Sequence, residues 1–268
     1  MSVCVRRCRR RLRRLSRWIC ICISISLLCA DGNGITVRGA RGVRVIDCAL
    51  LRNGRNGVSA ESGSHVKVEG GEVTGNGWHG LLAAGEGTLL IARNVVKISR
   101  NGLSGVSAET GSHVEVEGGE STGNGKHGLL ADGEGTRLIA RNNVKTNRNE
   151  IDGVSAETGS HVEVEGGERT GNGKHGLRAH GVGTRLIARN VVKTSENEVS
   201  GVCAETGSHV EVEGGEVSGN KLYGLLATVN AQISAKRVKV SGNQRGSSCV
   251  GKTPLSRVTL EDCQVDGQ

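Results

Sequence analysis

The chain repeats itself every 48 residues, and no other feature constrains its fold as tightly. Gly57, Gly105, Gly153 and Gly201 open equivalent segments. The stretch "AETGSHVEVEGGE" recurs unchanged at 108–120, 156–168 and 204–216, with the near copy "AESGSHVKVEGGE" at 60–72. A weaker half-period runs inside each 48: glycines at 34, 57, 80, 105, 128, 153, 176, 201 and 224 are spaced alternately 23 and 25 after an initial 23. Units of this size cannot bury an apolar face alone. They must stack on their neighbours, as in a solenoid or array.

Alternation makes the units strands. Two apolar residues separated by one variable residue follow each of these glycines, as in Val106/Ala108 and Leu129/Ala131, and a second such pair comes later in the unit, as in Val114/Val116 and Leu138/Ala140. The paired residues point inward and those between them outward, because strand side chains alternate faces. Frequent glycine (43 residues) and the lack of a 3.6-residue stripe argue against helices. With no Phe, two Trp and one Tyr, the core has to be built from thin layers of Val, Ile, Leu and Ala. A third marker is an asparagine four residues before the next glycine: Asn53, Asn76, Asn101, Asn124, Asn149, Asn172, Asn197 and Asn220, with Asn243 continuing the row. Asparagine tolerates the left-handed conformation of a sharp turn, and stacked asparagines can bond one another from rung to rung.

Apolar pairs, turn asparagines and Gly-rich turns at this period resemble the right-handed parallel β-helix family, in the pectate-lyase-like sense, over residues 34–268. The resemblance implies an all-β parallel solenoid of about ten rungs. It also implies a link to polysaccharides, since many members are lyases, hydrolases or epimerases. Two regions are expected: a leader, 1–30, and the repeat domain, 31–268.

Net charge is +8, but the leader holds eight arginines and no acid, and the remainder has 27 basic and 27 acidic residues. The basic balance therefore belongs to the leader, and no nucleic-acid partner is assigned to the body. "RRCRRRLRRLSR" followed by the apolar run Trp18–Ala30 fits a secretory signal or an uncleaved anchor, with organelle import as the alternative. Membrane contact is expected only through this segment. Nine cysteines occur without a CxxC, so a zinc site has little support. A Cys249–Cys263 disulfide stays open.

The repeated His/Glu stretch poses the choice between a reactive site and structure. Val114 and Val116 face inward, which puts His113, Glu115 and Glu117 on the outer face. The position after each second inward residue reads Glu69, Arg93, Glu117, Arg141, Glu165, Arg189, Glu213, Lys236 and Glu261, with the sign alternating at every rung. Neighbours at about 4.8 Å attract in this order and would repel in any other. The stretch is therefore read as part of a structural ladder, and no metal or cofactor is assigned. On this alignment Arg141→Glu lowers the melting temperature more than Arg38→Glu, which lies outside the ladder. Trp78 with His79, His127 and His175, in "GNGWHG" and "GNGKHG", are the candidate binding residues, because Trp stacks on sugar rings and His bonds hydroxyls.

No catalytic residue is assigned. Only six aspartates occur, no obvious trio of them occupies adjacent rungs at one position, and the central rungs look interchangeable, whereas catalysis needs different residues in different roles. "GEGT" lacks the lysine of a phosphate loop. The sequence thus reads as a non-catalytic scaffold binding glycan or protein along its surface. A polysaccharide-processing enzyme (or degenerate relative) and a fragment of a larger repeat protein are the alternatives.

Overall fold

The computed structural model describes residues 29–94, 96–190 and 192–266, together with the backbone of Ser2–Cys4, Ile19–Ile23 and Ser26–Leu27. Apart from those backbone segments and its last two positions, the expected leader lies outside the described residues. From Ile35 to Val265 the chain is a parallel β-solenoid of about ten rungs with three sheets. Successive rungs place Ile35–Arg38, Val58–Glu61 and Leu81–Ala84 on the first sheet, and Val43–Ile46, His65–Glu69 and Leu89–Arg93 on the second. Ala49–Leu51, Glu72–Thr74 and Lys97–Ser99 begin the third. That face is broken halfway along into two five-stranded sheets, with only an isolated bridge, Glu120 to Lys145, at the break. No helix occurs among the described residues.

The alternation of 23 and 25 has a local cause. Strands start at Val58, His65 and Glu72 in one rung and at Leu81, Leu89 and Lys97 in the next. The longer rung thus carries one extra residue in each of two turns. The inward pairs form continuous buried rows, such as Val58, Leu81, Val106, Leu129 and Val154, and Val66, Leu90, Val114, Leu138 and Val162.

Facing outward does not guarantee exposure. Ser59, Ser107, Ser155 and Cys203 lie between inward residues and are nevertheless fully buried, as nearly are Ile91, Ile139 and Ile187. In the second group the neighbouring rungs carry Lys67, Glu115, Glu163 and Glu211, whose long side chains cover the shorter apolar one between them.

The asparagine row is a buried spine. Asn53 Nδ2 donates to Asn76 Oδ1 at 2.7 Å, and the same bond runs rung by rung through Asn101, Asn124, Asn149, Asn172, Asn197 and Asn220 to Asn243, at 2.8–3.1 Å. The left-handed bend expected at these asparagines falls one residue earlier, on Arg52, Gly75, Arg100, Gly123, Arg148 and Gly171. The asparagines are thus held for their amides, which satisfy one another and nearby backbone groups inside the wall.

The charge row is in register: Arg93 lies opposite Glu69, Glu117 opposite Arg141, Glu165 opposite Arg189, and Glu213 opposite Lys236. Contacts include Arg93–Glu117 at 3.1 Å, Arg189–Glu213 at 3.9 Å, Arg141–Glu165 at 4.0 Å and Lys236–Glu261. Flanking residues join it, for Arg44 pairs with Glu69 and Arg237 with Glu213. Arg38 is not a neutral reference, because its Nε lies 2.7 Å from Glu61. The Cys249–Cys263 bridge does not form; both are free thiols, as are Cys29 and Cys203.

Candidate functional site

The rung glycines carry the chain from the third sheet into the first, and the residue before each lies at this corner. Because rungs superpose, these residues form a row: Asn56, His79, Ser104, His127, Asp152, His175 and Ser200. The row is stitched along the solenoid. His79 N donates to Asn56 Oδ1 at 2.9 Å, and His175 N donates to Asp152 Oδ1 at 2.9 Å.

The three candidate histidines are therefore brought into one row but are largely buried. Trp78 stands beside them, half exposed, with the Arg55 guanidinium 5.0 Å from its ring centre. Burial, with Lys126 nearby, lowers the pKa of His79 to about 4. Burial lowers that of His175 as well, against the opposing pull of Asp152 and Glu205.

Asp152 is wholly buried. Burial pushes its carboxyl up, but the adjacent His127 and His175 outweigh this and hold it below the usual carboxylate range. Its Oδ2 lies 3.2 Å from His127 Nδ1, while His127 Nε2 lies 4.0 Å from Glu157 Oε1. The Asp152 and His127 atoms stand at ion-pair distance without the alignment of a hydrogen bond; a small rotation of the ring would let the buried carboxylate orient the imidazole, the arrangement used to position a general base.

Arg178 completes the cluster from the first sheet, paired across strands with Ser155 and Cys203. Its Nη1 is 3.0 Å from Glu157 Oε1 and 4.0 Å from Asp152 Oδ2, and its Nε donates to Glu205 Oε2 at 2.9 Å. His180 Nδ1 is 3.6 Å from the same Glu205 oxygen. Burial would lower the Arg178 pKa, yet Glu205, Asp152 and Glu157 together raise it. Cys203 is a fully buried thiol whose pKa burial and Glu205 push well up.

Asp152, Glu157, Arg178, His180, Cys203 and Glu205 were missed in the sequence, although a signal was present. Asp152 stands where Ser104 and Ser200 stand, Arg178 where Leu82, Leu130 and Leu226 stand, and Cys203 where Ser59, Ser107 and Ser155 stand. His180 holds the place of Ala84 and Asp132. Single exceptions scattered over 50 residues of sequence become neighbours once rungs stack. The expectation of interchangeable central rungs does not hold between Asp152 and Glu205.

The second sheet carries a shallow depression of about 250 Å³ lined by Ile139, Arg141, Glu163, Glu165, Ile187 and Arg189. Arg141, Glu165 and Arg189 belong to the ladder, and Glu163 to the row beside it, where it pairs with Arg137. Burial opposes ionisation of Glu163, but the bonds from His161 and Arg137 prevail and lower its pKa.

Comparison with known proteins adds the family and the fold. The family model "Right handed beta helix region" matches residues 33–192 and 148–268. Two solved structures of the periplasmic alginate epimerase AlgG are similar, a single-substitution and a double-substitution variant. The first has a TM-score of 0.61 at 12% identity and the second 0.59 at 13%. Each alignment covers 85% of this chain and 70% of the other. At such identity the likeness is one of fold. No curated protein sequence matches the chain significantly.

Proposed function

Because the chain belongs to the right-handed β-helix family, we propose that it is a non-catalytic polysaccharide-binding solenoid that lays its glycan along the rungs. The carrying observation is the repetition of the outer rows, which presents nearly the same side chains at every second rung, as a polymer presents its sugars at a regular step. The reading takes the protein to be exported, in keeping with an Arg-rich, apolar start that fits a secretory signal and with similar structures that are of a periplasmic alginate epimerase.

The electrostatics favour a neutral glycan. Glu61, Glu109, Asp132, Glu157 and Glu205 line one row of the first sheet. Arg178, the cation best placed to meet a sugar carboxylate, is already held by two of these acids. A uronate would have to displace them. The alternative reading, a polysaccharide-processing enzyme, is favoured by one feature, the Asp152–His127 pair, which fits proton transfer.

A glycan array of neutral and uronate polymers, run with product analysis, separates the two. Binding of neutral polymers without turnover, weakened at least about fivefold by Trp78→Ala, is the expected result. Turnover that His127→Ala abolishes would establish the enzyme and sink the scaffold reading. Binding of no polymer would also sink it and leave a protein partner.

A further inference from the structure

The corner geometry repeats three times with the same three positions. His79 faces Glu109 across Ser107, His127 faces Glu157 across Ser155, and His175 shares its place with Cys203 and Glu205. In the first two, the serine hydroxyl donates to its own glutamate, Ser107 to Glu109 at 2.7 Å and Ser155 to Glu157 at 2.9 Å. A serine hydroxyl is a poor metal ligand. In the third, sulfur replaces that hydroxyl. A ring nitrogen of His175, the Cys203 sulfur and a Glu205 oxygen all lie within 4.8 Å of one another.

We propose that His175, Cys203 and Glu205 form a site for a single zinc-class divalent cation, with His180 or water as the fourth ligand. Thiolate, imidazole and carboxylate are the donor types zinc takes, at bond lengths that put donors about 3.4–3.8 Å apart around a tetrahedral ion. A contraction of about 1 Å among side chains closes the observed triangle. Independent observations point to a ligand. His175 is only 6% exposed and its Nδ1 has no hydrogen-bond partner; His180 is more open, but its Nδ1, 3.6 Å from Glu205 Oε2, is likewise without one. Charge favours a cation, because Asp152, Glu157 and Glu205 surround a single guanidinium. As the sulfur–metal bond forms, the thiol proton leaves to solvent. The site is separate from the outward His113/Glu115/Glu117 stretch, whose residues serve the ladder, and does not depend on whether the protein binds glycan.

The test is a cobalt titration of the full chain followed by displacement with zinc chloride. One equivalent should produce a thiolate-to-cobalt charge-transfer band that zinc removes. Cys203→Ser restores the residue of the sister rungs, so folding, checked by circular dichroism, is retained. This variant should lose the band and bind at least about tenfold more weakly. His175→Asn should weaken binding similarly. A folded wild type without the band, or Cys203→Ser with an unchanged band and affinity, would overturn the proposal; the latter would assign the signal to other cysteines.

Discussion

Arg169 sits where a side chain of its kind is least at home. It occupies the inward row of the third sheet, where other rungs carry Leu50, Val73, Ile98, Val217 and Val240, and it is fully buried. Nη1 donates to the Gly166 carbonyl at 2.5 Å, while Nε and Nη2 have no partner among the described residues. The hydroxyls of its row neighbours Thr146 and Thr194 are equally unmet. Burial lowers its pKa to about 9, against the opposing effect of Glu168. Arg169→Leu should therefore stabilise the protein by about 2–4 kcal/mol in chemical denaturation at neutral pH. The folded-state pKa is below the unfolded one, so between them the unfolded chain binds more protons and wild-type stability climbs with pH. The advantage of the variant should shrink as pH rises through about 9; an advantage that grew would contradict the buried charge. His79 gives the acid counterpart. Its folded pKa of about 4 lies below the free value of 6.5, so stability is lost as pH falls from 6.5 towards 4, by up to about 3 kcal/mol. His79→Ser, which installs the residue found at 104 and 200, should flatten that slope in melts across this range.

At the level of the rung, two devices hold the stack together. The corner glycines are required by close approach and not by a left-handed backbone. A Cβ on Gly128 would stand 2.6 Å from the Gly153 carbonyl oxygen and 2.8 Å from Asn149 Nδ2. Gly128→Ala should cost about 2–3 kcal/mol by thermal melt, since backbone and spine cannot both move away. On the second sheet, Arg141→Glu places three acids on successive rungs and should cost about 1 kcal/mol at low ionic strength, less in high salt. Lys252→Glu, exposed in the last turn, is the fitting reference and should change little. Both devices were legible in the sequence because each is printed once per rung: the apolar pairs, the asparagines and the alternating signs fix register without knowledge of any contact. Burial of Ser107 and Ile139 was not legible, for it depends on how the side chains of adjacent rungs lean over a shorter neighbour.

Across the whole molecule, repetition reveals the architecture and hides the site. Asp152, Arg178, His180 and Cys203 are unremarkable one at a time, and only the stacking of rungs 152–205 makes them a cluster around one guanidinium. The asparagine spine carries a consequence on the same scale. From Asn53 to Asn220 each side-chain amide gives an N–H to the amide oxygen of the next rung, so every one of these oxygens faces the rung before it, while amides such as Asn149 also donate back to a carbonyl of the preceding rung, here Ser121 O. Amide dipoles set head to tail polarise one another and add. The amide row therefore has an electrical direction as well as a chain direction, its carboxamide oxygens turned towards the first rung. Its two ends would orient oppositely in a field or against a charged surface.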